Sequence, residues 1–166
     1  AGNFAGEIKG KTAAHGKIGQ GAINDILRAF KIDPLPAAAE LQTQFKAPNS
    51  VVYGNKSHMT NVVVNLLDNA IKYSPEAPKI EVHTENAGTN IILKIKDHGS
   101  GMSKAAAKKV FEKFYREHTG NIHNVKGHGL GLAYVKRIVE DHQGHVSVES
   151  EKEKGSTFII KLPLIS

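Results

Sequence analysis

Residues 79–97 read KIEVHTENAGTNIILKIKD, and this stretch decides the fold. Ile80, Val82 and Thr84 alternate with polar neighbours, as do Ile91, Leu93 and Ile95, so each half presents one apolar face at the two-residue period of a β-strand. Asn86-Ala87-Gly88-Thr89 between them has the chemistry of a hairpin turn. An antiparallel strand pair therefore stands at the centre of the chain.

Upstream, 41–45 and 51–53 suit short strands. Asn55 or Ser57 caps a helix running to about Tyr73, which Pro75 and Pro78 close. Downstream, Ser103 caps a helix from Lys104 to about Phe114, and the polar stretch 117–126 breaks all periodicity, the pattern of a mobile lid. A further helix runs from about Leu130 to His142 with Gly144 as its terminating glycine. Val146 and Val148, then Phe158, Ile160 and Leu162, form a last hairpin around Lys154-Gly155. This order predicts the α/β class: a two-layer α/β sandwich with a mixed, mainly antiparallel sheet and helices packed on one face. Residues 1–40 read as a poorly patterned N-terminal segment with one helix, marked by Ile23, Ile26, Leu27 and Phe30, ahead of a domain spanning 41–166.

The 166 residues, 40% apolar and 23% charged, fit one soluble domain. No apolar run approaches the roughly 18 residues of a membrane span, so this segment is not expected to insert in a membrane. The absence of cysteine excludes disulfides, thiolate metal sites and thiol catalysis, and agrees with a cytoplasmic location. A net charge of +6 suits nucleic acid, an acidic partner or a polyphosphate. The basic residues are scattered and no aromatic platform accompanies them, which argues against nucleic acid. The glycine spacings match neither a dinucleotide-binding fingerprint nor a P-loop.

Four segments carry chemistry. On the helix 55–73, the apolar stripe Met59, Val62, Val63, Leu66, Leu67, Ala70 and Ile71 leaves another face with Asn65, Asn69, Lys72 and Tyr73 at i, i+4, i+7 and i+8. That face is either solvated or a polyphosphate site, where amide oxygens complete a magnesium shell and Lys72 meets phosphate. Asp97-His98-Gly99-Ser100-Gly101-Met102, directly after a strand, is an ordinary turn or a place where backbone approaches a ligand. Phe111-Glu112-Lys113-Phe114-Tyr115-Arg116 offers two rings that read as core anchors and a guanidinium able to fork onto phosphate. Gly127-His128-Gly129-Leu130-Gly131-Leu132 precedes a helix and presents successive N–H groups to an anion, or serves as a hinge. Nine histidines include the near pair His142 and His145, but no zinc-binding spacing accompanies them, and they are expected to be solvated surface residues.

Taken in order, these segments resemble the N box, first glycine box, F box and second glycine box of sensor histidine kinases. The resemblance covers residues 53–163 and implies the Bergerat ATP-binding fold, with ATP as nucleotide and magnesium (Mg2+) as metal. It implies that Asn65 ligates the metal, that Asn69 contacts the nucleotide, that Lys72 and Arg116 meet phosphate, and that Tyr73 packs near adenine. Asp97 would accept the adenine amino group. Gly99, Gly101 and Met102 would shape the base pocket, and Gly127, His128, Gly129, Leu130, Gly131 and Leu132 the phosphate side, with Thr157 near the base. His98 stands where Asn is common, and His128 where Ser or Thr is common. No H-E-L-R-T-P-like segment occurs in these residues. The implied partners are therefore a dimerisation and histidine phosphotransfer domain of the same parent, expected to be membrane-anchored, and a response regulator receiver domain. An ATP-driven clamp and a serine-phosphorylating switch kinase share the fold and remain the alternatives.

Overall fold

The computed structural model describes residues 16–18, 39–48, 51–74, 76–116 and 130–165. Its elements are β1 (Gly16–Ile18), β2 (Glu40–Lys46), β3 (Val52–Gly54), α1 (Lys56–Lys72), β4 (Lys79–Ala87), β5 (Asn90–Asp97), α2 (Lys104–Lys109), α3 (Gly131–Asp141), β6 (His145–Glu151) and β7 (Gly155–Pro163). Five strands form a sheet in the order β2-β4-β5-β7-β6, antiparallel except that β2 runs parallel to β4. The central hairpin turns at Gly88, whose φ of 60° lies in the left-handed region.

Alternation builds the core. Ile80, Val82, Ile91, Leu93, Ile95, Phe158 and Ile160 are buried on one face of the sheet. Against it lie the α1 stripe Met59, Val62, Val63, Leu66, Leu67 and Ala70 and the α3 stripe Val135, Ile138 and Val139. Each large aliphatic side chain so removed from water contributes about 1.5–3 kcal/mol. This is the expected two-layer α/β sandwich, with α1 and α3 side by side on the same face. Among the described residues no helix is long and apolar enough to cross a membrane.

Four local expectations are corrected. The segment before residue 40 contains a strand: β1 pairs antiparallel with β3, and three residues are too few for alternation to show in the sequence. The helix expected over 104–114 ends at Lys109. Phe114 is left-handed, at φ 63°, and 72% exposed, a conformation that cannot continue a right-handed helix. Only Phe111 is a core anchor, its ring edge-on to Phe158 at 6.1 Å. At the end of α3 the left-handed residue is Gln143 (φ 59°), with Gln143 N–H donating to Glu140 O and Gly144 N–H to Val139 O, both at 2.9 Å. The helix expected around residues 23–30 lies outside the described residues.

Candidate functional site

Asn55 starts α1: its side chain accepts the His58 N–H at 3.0 Å, as an N-cap should. Ten residues on, Asn65 donates from Nδ2 to Asn61 O at 2.7 Å, which turns Oδ1 toward the start of α3. A Cβ on Gly131 would stand 2.8 Å from that oxygen, so the N-box amide and the second glycine box meet closely here. Leu130, the first residue before α3, is exposed and gives no side-chain cap to the first-turn N–H groups. Leu132 packs on the core. Gly127, His128, Gly129 and the lid expected over 117–126 lie outside the described residues.

Toward its C-terminus α1 carries Asn69, half-buried, then Lys72 and Tyr73, both partly exposed. Lys72 Nζ lies 2.8 Å from Asp68, one turn back. Such an exposed pair is worth about 0–1 kcal/mol and yields readily to a more highly charged anion. Tyr73 O accepts the Ser100 N–H at 3.0 Å, and a Cβ on Gly99 would overlap that carbonyl, so the end of α1 is pinned to the turn after β5. Gly101 has φ 63° and approaches the Glu151 carbonyl too closely for any side chain. Ser100 O accepts the Glu153 N–H at 2.6 Å, and Met102 N–H donates to Ser150 Oγ at 2.8 Å. The first glycine box is thus clamped between α1 and the β6–β7 hairpin.

Asp97 closes β5 on the helix-facing side and is 4% exposed. Its Oδ1 accepts the Gly99 N–H at 2.9 Å, and the Ser156 backbone also bonds the carboxyl. Burial pushes its pKa above the ordinary carboxylate value, against these two bonds and the weaker field of His98. Among the described residues no lysine or arginine pairs with it. A carboxylate accepts through two oxygens with about four lone-pair sites, so capacity remains for a ligand N–H.

The structure brings Asp97, Gly99, Gly101, Met102 and the Tyr73 backbone together, and separately joins Asn65 to Gly131. It does not bring Thr157 to Asp97. Phe158 and Ile160 set the helix-facing parity of β7, which Ser156 shares. Thr157 pairs with Lys96 on the opposite face. Ser156, directly across from Asp97 and buried, takes the place expected for Thr157. Counting back from the Phe158, Ile160 and Leu162 alternation reveals it. Arg116 is exposed beyond Phe114.

His142 is corrected as well. It is 7% exposed, not a solvated residue, and bonds Asn55 and Ile138. Its position at i+7 of the Val135, Ile138 and Val139 stripe was the available signal. Among the described residues no group of three His, Asp or Glu can hold a metal.

Comparison with known proteins agrees with this geometry. Residues 54–166 match the family described as histidine kinase-, DNA gyrase B-, and HSP90-like ATPase. The chain is 44% identical over 145 residues to sensor protein RprX of Bacteroides fragilis, covering 86% of this chain and 28% of that protein. It is 33% identical over 128 residues to the sensor-like histidine kinase SenX3 of Mycobacterium tuberculosis, covering 76% and 31%. The mycobacterial sensor histidine kinase MprB superposes with a TM-score of 0.75 at 27% identity, covering 90% of this chain and 97% of that one. The chain belongs to this ATPase family, as a catalytic domain of the sensor histidine kinase kind. It spans under a third of the length of these curated relatives.

Proposed function

We propose that the domain binds ATP with magnesium and transfers the γ-phosphoryl group to a histidine on a separate dimerisation domain of its parent. The observation that carries this reading is Asp97: a buried carboxylate that no lysine or arginine among the described residues pairs with, beside a glycine turn packed against the Tyr73 and Glu151 carbonyls. It accepts the adenine amino group there, and guanine, with a carbonyl at that position, is refused. Asn65 and Gly131 lie about 12 Å further along α1, eight residues at 1.5 Å each, and receive the phosphate end.

The donor set fits magnesium. Asn65 Oδ1 is a hard neutral oxygen beside a gap that a side chain would fill, and Asn69 lies one turn on. Bound there, the metal would neutralise phosphate charge and hold the γ-phosphorus for in-line attack. Lys72, released from Asp68, and Arg116 add positive charge to the phosphate chain. An amide at position 65 accepts no proton from water, so Asn65 is no base for hydrolysis. A neutral imidazole of the partner domain attacks phosphorus, a nitrogen–phosphorus bond forms, and ADP leaves with the electron pair of the broken bond. The phosphoryl group then passes to an aspartate of a response regulator.

The test is incubation with γ-labelled ATP. The domain alone should release phosphate very slowly and label none of its histidines. Adding the parent's dimerisation domain should give acid-labile incorporation there. Rapid phosphate release by the domain alone, or its stable labelling on serine, would overturn the reading in favour of a clamp ATPase or a serine kinase.

A further inference from the structure

We infer that His142 is a positioning residue for the nucleotide site, an inference that rests on the nucleotide-binding reading above. His142 follows α3, and its imidazole reaches across to the start of α1. The Asn55 backbone N–H donates to Nε2 at 2.9 Å, and Nδ1 lies 2.7 Å from Ile138 O. A backbone N–H only donates and a carbonyl only accepts, so these two bonds require the neutral imidazole with its proton on Nδ1.

The bond matters because of what each helix carries. Helix α1 bears Asn65, Asn69 and Lys72, and α3 begins at Gly131, against Asn65. The two run antiparallel. His142 ties the last turn of α3 to the cap of α1, and Gly131 meets Asn65 about 15 Å away, ten residues along α1. Between these points the helices contribute Val, Leu and Ile side chains to one shared core, and apolar packing is non-directional and tolerates small sliding. The Asn55–His142 bond is directional and buried at both ends, Asn55 being 9% and His142 7% exposed. It fixes the longitudinal register of α3 on α1, and so the distance between the N-box amides and the backbone N–H groups that begin α3. His142 touches no ligand; it acts through that register.

Two variants separate this role from stability alone. In His142→Gln an ε-position oxygen can still accept from Asn55. In His142→Asn a δ-position amide can still donate to Ile138, but the link to α1 is gone. Each loses one hydrogen bond, so both should melt below the native domain by similar amounts. Calorimetry with a nonhydrolysable ATP analogue and magnesium, at a temperature where each variant is fully folded, should show His142→Asn binding about threefold to tenfold more weakly, the range of one net hydrogen bond. His142→Gln should stay within about twofold of native, because its cross-helix bond survives.

Native-like affinity in both variants, or equal weakening in both, would overturn the inference. A native domain that bound no nucleotide would overturn this inference and the reading beneath it together. Should His142→Asn fail to fold, hydrogen exchange in the native domain decides. Linkage is reciprocal, so nucleotide must slow exchange of the Asn55 amide, and unchanged exchange would sink the inference.

Discussion

Two carboxylates stand at the same end of the sheet on opposite faces, Asp97 toward the helices and Glu81 away from them, one step apart in the β4–β5 register. Glu81 accepts from His98 at 2.8 Å and lies 3.4 Å from His83, with Lys96 nearby. The His98 hydrogen bond, against partial burial and helped by His83 and Lys96, holds its pKa below the ordinary value. Asp97 accepts from backbone N–H groups and feels only the weaker field of His98, and burial drives its pKa the other way. The same chemical group thus meets histidine side chains on one face and mainly backbone N–H groups on the other. An ion pair on a surface stabilises little, whereas a buried acceptor kept without a cation is costly unless something binding there uses it.

The largest blow to this contrast is Gly101→Ala. The new Cβ meets the Glu151 carbonyl from a left-handed backbone, so thermal melting should show at least about 2 kcal/mol lost, and nucleotide binding should fall with it. Asp97→Asn should leave the free domain folded while weakening adenine nucleotide binding by about 1–3 kcal/mol by calorimetry. It should also change the response to pH. With a folded pKa above 3.8, the contribution of Asp97 to stability is full below 3.8 and is lost as pH rises through the raised value, so the substitution flattens that part of a denaturation profile.

Glu81→Gln sharpens the contrast with the smallest effect and the opposite sign. The folded pKa of Glu81 lies below 4.5, so its contribution is present above 4.5 and is lost as pH falls through the lowered value. The variant should lose no more than about 1 kcal/mol at neutral pH and keep its nucleotide affinity. Its urea denaturation curves should change least at the acid end of the pH range.

Most of the fold was legible because alternation in 79–97 and the stripe on α1 obey two clean periods. Other features were misread. Thr157 is placed near the base by the resemblance, whereas the Phe158, Ile160 and Leu162 alternation and the pairing with β5 put Ser156 across from Asp97. Phe114 reads as core from its spacing to Phe111, yet a left-handed backbone turns it to solvent. The Lys72–Asp68 pair, by contrast, is one that i, i+4 spacing does predict.

The central claim is that Asp97 selects adenine, and titration calorimetry at pH 7 tests it most directly. The domain with magnesium is titrated with nonhydrolysable analogues of ATP and of GTP. The ATP analogue should bind with measurable heat and the GTP analogue should not compete with it, a preference that Asp97→Asn erases. Equal affinity for the two nucleotides in the native domain, or an unchanged preference in Asp97→Asn, would contradict the account.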